Sequence, residues 1–169
     1  MQFFSANLDS LRALYIDQLR QLLSAEKQIT KALPKMIEAA TEPELKRALE
    51  THLEETRGHV SRLDEILKQD PGKAGSKKNK GMAALISEGD DLIADTTDSS
   101  IRDAGIISAA QRVEHYEIAA YGTVRNFAEI LGKMEDGDVL DKTLEEEKHA
   151  DAALSDISDS ANTQAKRAA

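Results

Sequence analysis

The chain has 169 residues, a formal net charge of −9, no cysteine and no tryptophan. That length suits one domain with a buried core, and the lack of cysteine excludes disulfides, thiolate ligands and iron–sulfur chemistry. The acidic balance argues against nucleic acid as a partner, whose phosphates would be repelled, and no apolar run approaches the roughly 20 residues that cross a bilayer.

With hydrophobic residues at 40%, charged ones at 31% and only three prolines, the composition favours all-α structure. The segment Met1 to Asn7 lacks the basic region and long apolar stretch of a signal peptide, so a cytoplasmic location is the default expectation. A first helix is predicted from near Asn7 to about Ala40, with Pro34 removing one backbone hydrogen bond and bending the last turns. Thr41-Glu42-Pro43-Glu44 has the form of a capping box with proline inside the first turn. It opens a second helix that runs to about Gln69 and is stopped by Asp70-Pro71-Gly72.

The basic cluster Lys73, Lys77, Lys78 and Lys80 lies in a Gly/Ser-containing linker and reads as a solvated loop. A short amphipathic helix follows from Met82 to Asp95, carrying Leu85, Ile86, Leu92 and Ile93. Thr96 to Ser100 is rich in N-capping types. The third long helix is predicted from Ile101 to Leu131, with Gly132 terminating it, and the last from Gly137 to Ser158. Residues 159–169 are polar and alanine-rich and are expected to be a disordered tail. Residues 1–158 thus make a ferritin-like antiparallel four-helix bundle, with one long crossover, about residues 70–100, carrying a short extra helix.

The chemistry is concentrated on the inward faces. Ile106, Ala110, Val113, Ala120, Val124, Phe127 and Leu131 form one stripe; Glu117 falls within it and Glu114 lies one turn earlier. Glu26 sits inside the stripe Leu19, Leu22, Leu23, Ile29, Leu33 and Ile37. A carboxylate directed into a bundle is costly unless something positive meets it. Two further segments resemble each other: Leu53, Glu54, Glu55 and Leu63 match Leu144, Glu145, Glu146 and Leu154, and Ile66 then matches Ile157, a weak internal repeat.

Four helices each offering an inward Glu, with His nearby on two of them, is the ligand set of a carboxylate-bridged di-metal site. The candidate ligands are Glu26, Glu55, His59, Glu114, Glu117, Glu146 and His149. Glu146 and His149 are three apart and Glu55 and His59 four apart, so each pair can grip one ion. Glu147 competes with Glu146 for the inward position, and the repeat alignment favours Glu146. His52, one turn before Glu55, reads as a core histidine that orients it, with ligation as the alternative. His115 points away from the stripe. Tyr15 and Tyr121 read as core residues, with a redox or hydrogen-bonding role near the metals as the alternative.

Four blocks also carry a resemblance: Ala25 to Lys35, His52 to Thr56, Val113 to Thr123, and Thr143 to Lys148. Together and in this order they resemble the YciE/YciF family of bacterial ferritin-like proteins, from about Leu8 to Ile157. The resemblance implies a ferritin-like bundle, often dimeric, associated with general or osmotic stress and bearing a candidate di-iron site. His59 and His149 depart from it, standing where a close family member has glutamine.

Carboxylate and imidazole donors without sulfur suit two iron ions, or manganese, per chain. The expected function is that of a stress-response protein that oxidises ferrous iron with O2 or hydrogen peroxide, or consumes the oxidant. It would be a homodimer with no nucleic-acid or membrane partner. The alternative is a non-enzymatic, stress-induced helical interaction protein whose metal site is structural or vestigial. A hollow iron-storage shell is a third reading.

Overall fold

The computed structural model describes residues 8–70 and 75–168. They form five helices: α1 (Leu11–Ala39), α2 (Pro43–Lys68), α3 (Lys80–Asp95), α4 (Ser99–Ile130) and α5 (Met134–Ala168), with no strand among the described residues. α1 packs along α2 and α4 along α5, while α3 lies across α1 and α4. This is the all-α ferritin-like bundle with one crossover.

Local chemistry sets the helix ends. Ser10 Oγ accepts from Ala13 N at 3.1 Å and starts α1, which passes through Pro34 without ending. The turn after it corrects the capping-box reading. The N-cap of α2 is Glu42, whose carboxylate accepts from Leu45 N at 2.6 Å. Thr41 turns instead to Asp103 of α4: its N–H and hydroxyl donate at 2.8 and 2.6 Å, and Glu42 N–H at 2.9 Å. A buried carboxylate thus satisfies the donors of the α1–α2 turn.

The crossover is pinned rather than loosely solvated where Lys77 lies. Lys77 Nζ reaches Asp17 at 2.7 Å and its N–H donates to Arg20 O at 2.8 Å. Buried Asn79 accepts from Met82 N at 2.9 Å, which starts α3 at Lys80, and donates to Tyr116 Oη at 2.8 Å. α4 ends where Gly132 takes φ +70°, the left-handed conformation that glycine adopts without a Cβ penalty.

α5 continues past Ser158 to Ala168, so the expected disordered tail is helical across that span. Ala161 is 2% exposed and joins the core beside Leu154 and Ile157. Alanine has the highest helix propensity, and a residue in the core holds the turns around it.

The core has two apolar parts. One contains Ile29, Leu33, Leu49, Leu53, Met82, Ile106, Val113 and Leu154; the other contains Tyr15, Leu19, Leu23, Leu63, Tyr121, Val124, Leu140 and Leu144. Glu26 falls in sequence between Leu23 and Ile29, and His59 between Leu53 and Leu63. Glu114 and Glu117 fall between Val113 and Tyr121, and Glu147 between Leu144 and Leu154. On four helices the chain changes from one apolar part to the other at a polar residue, so the polar set occupies the middle of the bundle.

Candidate metal centre

Six buried side chains converge there. Their relative exposures are 0% for Glu26, His59, Glu117 and Glu147, 2% for Glu114 and 5% for His52. They form two groups, His52 with Glu114, Glu117 and Glu147, and Glu26 with His59 and Glu147. Within each group the residues offer one oxygen or nitrogen each, all within 4.8 Å of one another. Glu147 belongs to both.

His59 Nδ1 lies 3.0 Å from Glu147 Oε1 and 3.4 Å from Glu26 Oε1. His52 Nε2 lies 3.3 Å from Glu114 Oε1 and 4.0 Å from Glu147 Oε2. Tyr121, fully buried, donates its hydroxyl to Glu26 Oε1 and meets the His59 ring edge-on at a centroid distance of 6.2 Å.

Burial and mutual repulsion shape the protonation of this set. Desolvation pushes Glu114 and Glu117 well above the usual carboxylate range, and neighbouring carboxylates, Glu147 for Glu114 and Glu26 for Glu117, push them further. Glu26 is also raised by burial. Burial acts on Glu147 in the same direction, but His59 and His52 outweigh it and hold it below its ordinary value. Burial lowers His52. His59 opposes its own burial through Glu147 and Glu26 and is raised to about 10.

The donors fit a cation. Among the described residues, the buried side-chain polar atoms lacking a hydrogen-bond partner are, apart from the Nε atoms of Arg102 and Arg125, all in this set. They are Glu26 Oε2, both nitrogens of His52, His59 Nδ1, Glu114 Oε2, and both oxygens of Glu117 and Glu147. Buried polar atoms are normally paired. A hard or borderline cation is the partner that satisfies many carboxylate oxygens and imidazole nitrogens at once.

Of the seven ligands expected from sequence, Glu26, His59, Glu114 and Glu117 are brought together. Glu146, Glu55 and His149 are not in either group. The choice of Glu146 over Glu147 is corrected by the rotation of α5. Leu140, Glu147, Leu154 and Ala161, seven apart, are 1%, 0%, 4% and 2% exposed, and Glu146 lies about 100° away on the helix. The repeat itself survives, because Glu147 aligns with Thr56, which is also fully buried.

Glu146 instead accepts from Arg62 Nη1 at 2.5 Å and Nη2 at 3.0 Å, and lies 2.9 Å from His59 Nε2. Glu55, its side chain 35% exposed, sits 3.9 Å from His52 Nδ1, and burial raises its pKa. His149 is exposed and, with Glu55, His52 and Glu114, lines a cleft of about 320 Å³ between α2 and α5. His52 and Glu147, which the sequence offers only as alternatives, both belong to the groups. The seven-residue spacing from Leu140 was the signal for Glu147; His52 had its position on the apolar side of α2.

Residues 10–167 match the family model described as a domain of unknown function, DUF892. The chain belongs to the DUF892 family. Within it, Protein YciF of Escherichia coli strain K12 is 41% identical over 152 residues, covering 89% of this chain and 92% of YciF. The crystal structure of YciF, an E. coli stress protein, superposes with a TM-score of 0.88 at 39% identity over 92% of this chain and 99% of that one. YcfI from Rhodopseudomonas palustris superposes with a TM-score of 0.86 at 42% identity over 90% and 98%. A Xanthomonas campestris protein at 22% identity and a TM-score of 0.76, over 92% and 95%, shares the fold. The resemblance read from the four blocks is therefore borne out, and this DUF892 chain is a relative of a stress protein. Among the described residues, no helix is long and apolar enough to cross a membrane.

Proposed function

We propose that this protein holds two iron ions, or manganese, and serves a cytoplasmic stress response by oxidising ferrous iron with O2 or hydrogen peroxide, or consuming the oxidant, as a homodimer. The observation that carries this reading is the pair of buried donor groups sharing Glu147. When bound, two ferrous ions supply one electron each, which with two protons reduce hydrogen peroxide to two waters or dioxygen to hydrogen peroxide.

The chain's own residues supply the rest. Glu147, common to both groups, would serve both ions, with Glu26 and His59 holding one and His52, Glu114 and Glu117 the other. Tyr121 holds Glu26 from behind through its O–H, and Glu146 holds the far nitrogen of His59. The two apolar parts of the core exclude bulk water above and below. The cleft carrying Glu55 and His149 gives an approach from solvent on which those two side chains stand among apolar ones, and the net charge of −9 draws cations toward the protein.

The test uses anaerobically purified wild type, Glu147→Ala and Glu26→Ala. Two iron or manganese ions per chain, with ferrous oxidation by peroxide in wild type and loss of both properties in Glu147→Ala, is the expected result. Metal retained in wild type without turnover would sink the redox reading and leave a structural site in an interaction protein. Light scattering at the mass of a dimer is expected.

A further inference from the structure

A second space reaches the same cluster, and its chemistry differs from that of the cleft. It lies where α3 crosses α1 and α4, has a free volume of about 30 Å³, and is walled mainly by Ile29, Leu33, Ile86, Ala109 and Val113. Its polar wall is His52 and Glu114, together with Asp90 at the rim. Asp90 is itself paired with Lys35 at 2.7 Å, with both side chains about half exposed. His52 and the Oε2 of Glu114 have no hydrogen-bond partner, so the chamber ends on unsatisfied donor atoms of the candidate metal centre.

Gly89 of α3 keeps the space open. A glycine inside a helix is less favourable than alanine, yet Gly89 is buried within α3. A Cβ there would only meet Ala109 Cβ at 3.5 Å, an ordinary contact. No close backbone approach demands glycine, and its effect is to leave room between α3 and α4.

We propose that this chamber holds dioxygen beside His52 and Glu114. A single water needs about 10–15 Å³ of free volume and two or more polar partners; here there is room, but partners are offered only at the His52–Glu114 end, and apart from Asp90 at the rim the other walls are hydrocarbon. Hydrogen peroxide has donors and acceptors on both oxygens and could pair only the oxygen at the His52–Glu114 end, leaving the other against hydrocarbon, a penalty in apolar surroundings. A diatomic apolar gas meets neither obstacle, since dry apolar cavities take up xenon and similar guests. The two approaches thus differ in the groups along them: the cleft carries Arg47, Thr51, Glu55 and His149 beside its apolar residues and suits ferrous ion and peroxide, and the chamber, polar only at its inner end and at Asp90 on the rim, suits dioxygen.

The occupant of the chamber is tested without metal, and its consequence for oxidation rests on the redox reading above. Crystals of the metal-free full chain would be pressurised with xenon. One xenon site among Ile29, Ile86 and Ala109 is expected in wild type and none in Ala109→Val, whose added methyl groups fill the space. In iron-loaded protein, Ala109→Val should raise the dioxygen concentration for half-maximal ferrous oxidation about fivefold or more, with the peroxide-driven rate changed less than about twofold.

Absence of xenon from the wild-type chamber overturns the proposal, whatever the variant does. An unchanged dioxygen dependence in a variant that has lost its xenon overturns it as well. Wild type that takes xenon but oxidises iron with neither oxidant supports an apolar gas cavity and sinks the redox function instead.

Discussion

His59 Nε2 lies 2.9 Å from Glu146 Oε2, and that contact aims the other ring nitrogen, Nδ1, at Glu26 and Glu147. Arg62 clamps Glu146 through two donors and also reaches Thr143 at 3.0 Å, so the carboxylate cannot swing inward without losing them. A histidine whose outer nitrogen donates to a carboxylate keeps its inner nitrogen available to a cation. Glu146 is thus a positioning residue.

Its removal should weaken the centre without dismantling it. Glu146→Ala is expected to lower affinity for ferrous or manganous ion about 10- to 100-fold while keeping the number bound, and Glu146→Asp to recover part of the loss. Glu147→Ala should reduce the number itself. Calorimetric titration separates the two, and equal stoichiometric loss in both alanine variants would make Glu146 a ligand after all.

Glu117 is fully buried with both oxygens unpaired, and desolvation raises its pKa well above the ordinary range. In the metal-free chain it is a cost to folding that a neutral isostere relieves. Glu117→Gln should stabilise the metal-free protein by about 1–3 kcal/mol at pH 7 and weaken metal binding. Urea unfolding in the presence of chelator measures the first and titration the second; a less stable metal-free variant would contradict the account.

Glu26, Glu114 and Glu117 are raised when folded, and His59 is raised from 6.5 to about 10. Between the unfolded and folded values the folded chain binds more protons, so its stability falls as pH rises. The carboxyl contribution is present below the ordinary carboxylate range and is lost as pH climbs through the raised values. The contribution of His59 is full below 6.5 and is lost as pH rises through about 10. The urea midpoint of metal-free protein should therefore drop from about pH 5 to pH 9. Metal binding should release protons, read as a buffer-dependent heat. A midpoint that rises with pH would refute the assignment.

Burial, followed by the charges of Glu26 and Glu117, pushes the Tyr121 hydroxyl well above its ordinary pKa, so it remains a donor to Glu26. Tyr121→Phe removes that donor and leaves a second Glu26 oxygen unpaired beside Oε2. A loss of about 1–3 kcal/mol in the metal-free protein is expected. Denaturant unfolding checks it, and a neutral result would mean that the contact adds nothing to stability.

Truncation after Ser158 removes Ala161 from the core and the last turns of α5. The expected loss is about 1–2 kcal/mol, as for deleting a small buried group and its supporting helix. Removal of a disordered tail would cost nothing measurable, so an unchanged thermal midpoint would restore the tail reading.

The number, order and approximate ends of the helices were legible because caps and apolar periodicity are local. Asn79 and Asp98 start their helices through their own side chains, and Gly132 ends one through its own backbone. The same locality placed Glu26, Glu114, Glu117 and His59 on inward faces before any partner was known. What one helix cannot state is how it is rotated against three others. A broad apolar face spans more than 100°, so adjacent Glu146 and Glu147 both satisfy it, and only packing of Leu140, Leu154 and Ala161 buries one and turns its neighbour to Arg62. Packing likewise drew His52 into the cluster, left Glu55 and His149 lining a cleft, and kept α5 helical beyond Ser158. Periodicity determines which residues can face inward; the contacts among four helices decide which of them meet.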